Sequence, residues 1–270
     1  MGRLESGPFS LKLVSWNVHG LPWPASRDRR RRIHRIARKI LDLRPDLVFL
    51  QEVWLNSDAR YLRGTLGPDY VSIFQPRSRG TPGGGLVVSL RSSDGWTAAA
   101  PPEFRCFQSS APRWKVWEGD GLGGKGILTI EVRRDARRLF LVDTHLQSQY
   151  ARSDYAAVRE AQITELEAWA DRLDPQVPAL IAGDFNTDYR ESSLYTKILA
   201  IGADLTESAR QRCGHGTVLD GTGSWIDYVL LHRGGDCGAS SDFELILSDA
   251  PDRPYSDHHA LSGTIHLPRW

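Results

Sequence analysis

The sequence predicts an α/β layered fold, and three observations predict it. Short apolar runs recur along the chain, each carrying a polar residue of catalytic type at one end. Two longer stretches with helical periodicity lie among them. No Pro/Ser-rich linker, low-complexity tract or internal repeat divides the 270 residues, so one domain spanning the chain is expected, with its core at about residues 12–267; a monomer is the expected state.

The runs come first. "LKLVSWN" ends at Asn17 and "DLVFLQE" at Glu52. "RLFLVDTH" ends at His145, and "ALIAGDFN" ends in Asp184 and Asn186. "WIDYVLL" carries Asp227 near its start, and "YSDHHAL" carries Asp257 and His258. Runs of this length, rich in Val, Ile, Leu and Phe, read as buried strands. Catalytic groups in α/β proteins gather at strand ends on a rigid sheet, so the endings predict one convergent site.

The helices follow. Residues 27–43, "RDRRRRIHRIARKILDL", place Ile33, Ile36, Ala37, Ile40 and Leu41 on one face, with Ser26 or Asp28 as cap. Arg29–Arg32 then sit at the positive end of the helix dipole and read as a solvated face, or as a contact for anionic headgroups. Residues 154–173 give a second amphipathic helix, with Val158, Ile163, Leu166 and Trp169 for burial.

Composition narrows the function. A 40% hydrophobic, 25% charged chain of net charge +1 is ordinary globular protein. That balance does not fit a non-specific nucleic-acid binder and leaves only a local basic patch for that role. Cys106, Cys213 and Cys237 are an odd set without framework spacing and are expected to be free thiols. No apolar run is long enough to span a bilayer, and a strand pattern begins within about ten residues, without a secretory leader. The compartment stays open between cytoplasm and, for a chain whose leader has been removed, secretion.

Glu52, Asp184, Asp227 and Asp257 beside apolar runs ask for partners, because carboxylates are rarely buried alone. A structural salt bridge accounts for any one of them, but less well for four together with Asn17 and Asn186. Carboxylates and amides are hard oxygen ligands that suit Mg²⁺, with Mn²⁺ or Ca²⁺ as alternatives. His145 and His258, each near an Asp, fit acid/base work near neutral pH. Of the neighbours His258 and His259, only one should face the site. There is no G-x-S-x-G elbow, so the set suggests attack of water on a phosphoester rather than a serine nucleophile.

"SWNVHG", "QEVW", "THLQ", "GDFN", "IDYVLL" and "SDHHAL" occur in the order and rough spacing of the endonuclease/exonuclease/phosphatase superfamily, which the chain resembles from about Lys12 to Leu267. The resemblance implies a four-layer α/β sandwich, two mixed sheets packed face to face with helices outside. It also implies roles. Glu52 is the principal metal ligand, with Asn17 beside it; Asp257 helps hold the metal or His258. Asp184 and Asn186 position the attacking water and a phosphate oxygen. His258 is the general base, oriented by Asp227, with Asp184 the competing candidate. His145 donates to a non-bridging phosphate oxygen.

"EGDGLGGKG", residues 118–126, decides between branches. Its G-x-x-x-x-G-K looks like a phosphate-binding loop, but Gly126 stands where Ser or Thr is needed, and a strand pattern follows instead of a helix. Asp120 and Lys125 on this glycine loop resemble instead a feature of neutral sphingomyelinases. Lys125 would then offer its charge to the phosphate, and Asp120 would hold Lys125 in the empty site. A β-turn with a surface ion pair is the plainer reading of the residues alone. "GLPW", "GGGLVVSL" and "THLQSQYARSDYAAVREAQITEL", with Arg159 and Gln162, are similar to that branch too.

The long aromatic hairpin of some bacterial sphingomyelinases is missing between the Asp227 strand and the next. The expected activity is metal-dependent phosphodiester hydrolysis of sphingomyelin or a related choline phospholipid, with peripheral membrane contact. An endonuclease acting on DNA, such as abasic DNA, or a phosphodiesterase on a soluble diester, is the alternative. A nucleic-acid partner fits the charge less well. Trp23, Trp114 or Trp117 is expected to line the route for an apolar or quaternary-ammonium substrate.

Overall fold

The computed structural model describes residues 9–22, 26–75, 84–112, 123–150, 153–232, 239–248 and 252–267. Trp23, Trp114, Trp117, Asp120 and Cys237 lie outside the described residues.

The chain opens with β1 (Phe9–Asn17), α1 (Arg29–Leu43), β2 (Leu47–Gln51), α2 (Asn56–Leu66), β3 (Tyr70–Phe74) and β4 (Val87–Arg91). A second group follows: β5 (Thr97–Ala98), β6 (Glu103–Cys106), β7 (Gly126–Arg134), β8 (Arg137–His145), α3 (Ala156–Ala170), β9 (Ala179–Asp184), α4 (Ser192–Ile201), β10 (Ala203–Asp204), α5 (Glu207–Arg212) and β11 (Asp227–His232). The chain then returns with β12 (Ser240–Ser241), β13 (Glu244–Ile246) and β14 (Ala260–Leu267).

These build two mixed sheets of seven strands each. One runs β12-β14-β1-β2-β4-β3, with β13 also on β14; the other runs β10-β11-β9-β8-β7-β5, with β6 also on β7. The strand period sorts the side chains. In β1, Leu11 and Leu13 point into the core between the sheets, while Val14 and Trp16 point outward to α1. In β2, Leu47 and Phe49 face inward, and Val48 and Leu50 outward. Ile33, Ile36, Ala37 and Ile40 of α1 cover the outward face with no exposure to speak of. Each such isoleucine contributes about 1.5–3 kcal/mol by burial. On the second sheet, α3 and α4 supply Ile163, Leu166, Ile198 and Ile201. The result is the four-layer sandwich expected.

Local departures have physical causes. The first helix begins at Arg29 rather than 27, because Asp28 takes a left-handed φ of 51° and makes no side-chain cap. Ser26 is buried and donates to the His19 carbonyl instead of capping. Leu41 is only half-buried. Arg29 pairs with Asp58 at 2.9 Å, and Arg32 is buried, donating to the carbonyls of Val18, His19 and Arg27. Neither belongs to a solvated face. The second helix is shorter than its pattern, and Val158 is half-buried while Arg159 and Gln162 are buried in its place. Cys213 is a free thiol, and Cys106 forms no disulfide among the described residues. No helix among the described residues is long and apolar enough to cross a membrane.

Candidate active site

Strand direction brings the predicted residues to one edge. β1 and β2 are parallel with Asn17 opposite Gln51, so Asn17 and Glu52 leave the sheet together. β8 and β9 are parallel with His145 opposite Asp184. β11 runs antiparallel to β9, so its first residue, Asp227, sits opposite Asp184 at the end of β9. β14 runs antiparallel to β1 and puts Asp257 and His258, just before it, at the same edge. β7 is antiparallel to β8, which sets Lys125 beside His145. Gly183 allows the close pairing: it holds a φ of 152°, and a Cβ there would lie 2.0 Å from the Thr144 carbonyl oxygen.

Asp184, Asp227 and His258, all buried, offer ligand-type atoms within 4.8 Å of one another. His258 Nδ1 lies 2.9 Å from Asp227 Oδ2, and its Nε2 lies 3.8 Å from Asp184 Oδ2. Burial and the facing Asp227 carboxylate raise the Asp184 pKa to about 7. Burial alone would lower His258, but Asp227 above all, with Asp184 and Asp257, carries it well above the ordinary imidazole value. His258 is the buried one of the histidine pair; His259 is half-buried and its amide donates to the Thr217 carbonyl.

Asn17 joins this cluster to Glu52: its Nδ2 donates to Glu52 Oε1 at 3.1 Å and Asp184 Oδ2 at 2.9 Å. Glu52 has a left-handed φ of 64°, and Trp54 Nε1 donates to its Oε2 at 3.3 Å. Asn186, also left-handed, donates its amide N–H to Asp184 Oδ1 and its Nδ2 to the Leu146 carbonyl. Asp257 is turned to His19, with Nδ1 2.6 Å from its carboxylate. Its side chain is about half exposed, so the desolvation that opposes its ionisation is outweighed by the His19 hydrogen bond and the His258 charge, which bring its pKa to about 2.

His145 is buried, and burial first, then the charges of Lys125 and His258, hold its pKa well below the ordinary value. Its Nε2 lies 3.4 Å from Asp184 Oδ2 and 3.0 Å from Lys125 Nζ. With Lys125 as donor, the imidazole proton sits on Nδ1, a buried atom without a protein partner; in the other tautomer Nε2 carries the proton and can donate into the site. Lys125 is itself buried and also donates to the Leu146 carbonyl and Ser148 Oγ, at 2.6 and 2.9 Å. It therefore ties down the loop after β8. The strand pattern after Gly126 is β7, so the glycine loop is not a nucleotide cradle.

Several contributors were not read from the sequence. His19 is inside the first motif, two residues beyond Asn17, yet was not singled out. Trp54 stands in "QEVW", and Gln51 and Asp143 are hidden inside strand runs. Gln51 Nε2 donates to Asp143 Oδ1 at 2.7 Å, linking the two sheets directly beneath Glu52 and His145. Among the described residues, Asp184, Asp227 and His258 bring ligand-type atoms close enough together to hold a cation, with Asn17 and Glu52 adding hard oxygens beside them and Asp257 turned away to His19. The carboxylates of Asp184 and Asp227 face each other closely enough to raise the pKa of one.

The family model described as the endonuclease/exonuclease/phosphatase family matches residues 14–258. Human sphingomyelin phosphodiesterase 2 is 28% identical over 96% of this chain and 66% of its own length. Inositol phosphosphingolipids phospholipase C of Schizosaccharomyces pombe is 26% identical over 98% of this chain and 70% of its own. The chain spans 54–70% of the length of the curated relatives it matches. A Staphylococcus aureus beta toxin with bound magnesium ions has the same fold, with a TM-score of 0.76 at 16% identity over 97% of this chain and 100% of that one. TDP2 from Caenorhabditis elegans shares it too, at 0.73 and 18% identity over 96% and 76%. Motif order, two mixed sheets meeting at one polar edge and a match across most of the sequence agree: the chain belongs to the endonuclease/exonuclease/phosphatase family.

Proposed function

We propose that this chain is a sphingomyelinase-like phosphodiesterase of phospholipase C type, acting as a single catalytic domain and a monomer. It hydrolyses sphingomyelin, or a related choline phospholipid, to phosphocholine and the lipid alcohol. The observation that carries the chemistry is the buried Asp184–His258–Asp227 cluster on the edge shared with Asn17 and Glu52. The substrate class is supported by the names of the relatives, which act on phosphosphingolipids.

In its unprotonated form, which the raised pKa shifts to higher pH, His258 Nε2 takes a proton from water while Asp227 holds Nδ1 and steadies the imidazolium that forms. Asp184 and Asn186, locked together by the Asn186 amide, position the water and a phosphate oxygen. The water oxygen bonds to phosphorus as the bond to the lipid oxygen breaks; the lipid oxygen leaves as the alcohol with a proton from solvent, and His258 returns its proton to solvent. His145 donates to a non-bridging oxygen, and Lys125 supplies positive charge next to it. Asp120 is proposed to hold Lys125 when no substrate is bound. Glu52, Asn17 and Asp257 are the residues that would hold Mg²⁺, or Mn²⁺ or Ca²⁺ in its place. When bound, the cation supplies charge to the phosphate oxygens.

The test is a substrate panel under Mg²⁺: sphingomyelin, lysophosphatidylcholine, abasic DNA, an inositol polyphosphate and bis-p-nitrophenyl phosphate. Hydrolysis of sphingomyelin that disappears with chelator and with His258→Ala is the expected result. Cleavage of abasic DNA with sphingomyelin left intact would transfer the assignment to the nuclease branch. Full activity of His258→Ala would sink the mechanism.

A further inference from the structure

A concavity of about 870 Å³ lies against the catalytic edge. One wall is α1, and another is the chain leading to His258: Asp257, Ser256 and Pro254 all line it. Six arginines face it, Arg27, Arg31, Arg32, Arg35, Arg38 and Arg253, against three aspartates. The aspartates are engaged. Asp257 is taken by His19 at 2.6 Å, Asp252 by Arg253 at 3.2 Å, and Asp28 lies 4.0 Å from Arg31.

The fold accounts for only part of this charge. Arg32 serves backbone carbonyls, and Arg35 donates to the carbonyls of Arg253 and Pro254. Arg27 and Arg38 are exposed and make no ion pair among the described residues. The first turn of α1 has no acidic residue, although its amide dipoles already make that end positive. Arg31 and Arg35 are four apart on one helix face, and Arg35 and Arg38 three apart, spacings at which like charges repel. A stability role does not explain such a cluster. A bound anion does, because guanidinium groups match phosphate oxygens in geometry as well as charge.

We propose that this arginine-lined cavity binds a phosphate-class anion beside the catalytic edge, the chemistry of an anionic lipid headgroup or of free phosphate. Asp257 lines this cavity, so the anion is held next to the residue that precedes His258. The proposal goes beyond the phosphodiesterase reading and does not need it to be right.

The experiment measures binding by chelator-treated protein, so that no turnover is read. Vesicles of phosphatidylcholine with and without phosphatidylglycerol form one arm, and inorganic phosphate by calorimetry the other. The variant is Arg31→Gln with Arg38→Gln, both exposed and therefore compatible with folding. The control is Arg133→Gln with Arg172→Gln, an equal charge change away from α1, also at exposed positions. Each basic side chain at an anionic surface contributes about fivefold in partitioning, so the test variant should bind phosphatidylglycerol vesicles about thirtyfold more weakly, and the control within about twofold of the parent. Loss in both arms identifies a site for phosphate itself; loss in the vesicle arm alone identifies a lipid-borne headgroup. Equal binding by test and control variants, or no anion binding by the parent protein, overturns the proposal.

Discussion

Asp143 is fully buried between the sheets, and its removal can be worked out from its contacts. Its Oδ1 accepts from Gln51 Nε2 at 2.7 Å, and its Oδ2 accepts from the Val87 amide at 3.2 Å. Asp143→Ala deletes both acceptors and leaves two donors buried among apolar side chains. Each unsatisfied donor costs about 1–3 kcal/mol, so the variant should lose about 2–6 kcal/mol. Asp143→Asn is different. Its amide oxygen accepts from Val87, and its amide nitrogen can donate to Gln51 Oε1, which has no partner in the parent, once the Gln51 amide turns over. That exchange should cost no more than about 1 kcal/mol.

The pH dependence separates these explanations further. Burial raises the Asp143 pKa well above its ordinary value, more than its hydrogen bonds from Gln51 and Val87 lower it. A carboxyl raised in the folded state contributes stability that is present below its unfolded pKa and lost as pH rises toward the folded one. The parent should therefore lose stability from about pH 4 upward on this account, and Asp143→Asn should not. Urea unfolding at pH 5 and pH 8, read as a shift in midpoint at constant slope, measures both effects. An alanine variant within about 0.5 kcal/mol of the parent would refute the hydrogen-bond argument. An asparagine variant that falls further behind the parent at pH 8 than at pH 5 would refute the protonation argument.

Two further perturbations act at the edge itself. Asp227→Asn removes the carboxylate that most raises the His258 pKa against burial. The pKa governing kcat/KM should move down, and kcat should fall by about 10²-fold or more; a pH–rate profile unchanged from the parent would show that Asp227 does not act on His258. Gly20→Ala would place a Cβ 2.0 Å from the Glu52 carbonyl oxygen and must displace a residue already at a φ of 64°. The Mg²⁺ concentration for half-maximal activity should rise about 10–100-fold, and an unchanged value in a magnesium titration would remove Glu52 from the cation site.

The polar edge was legible because its residues stand at or just beyond the ends of strands. Where an apolar run stops at Asn17, Glu52, His145 or Asp184, the chain itself marks the position, and parallel or antiparallel pairing does the rest. Asp143 carried no such mark. It occupies an inward position of "RLFLVDTH", and its partner Gln51 is 92 residues away, so only the packing of one sheet on the other shows why a carboxyl is tolerated there. Arg32 was misread for the same reason. A run of four arginines looks like solvent-facing charge, yet one of them donates its hydrogen bonds to the Val18, His19 and Arg27 carbonyls that fold around it. Backbone geometry was hidden more deeply still. His19, Glu52 and Asn186 all have left-handed φ values without being glycine, a conformation that costs of order 1–3 kcal/mol for ordinary residues. No local pattern predicts that cost, because the gain that offsets it lies in contacts made elsewhere. His19 reaches Asp257, Glu52 meets Asn17, and Asn186 closes on Asp184 and Leu146. Three of the six non-glycine residues with left-handed φ among the described residues thus lie on the edge that carries the site, which is where a fold is expected to accept strain for function.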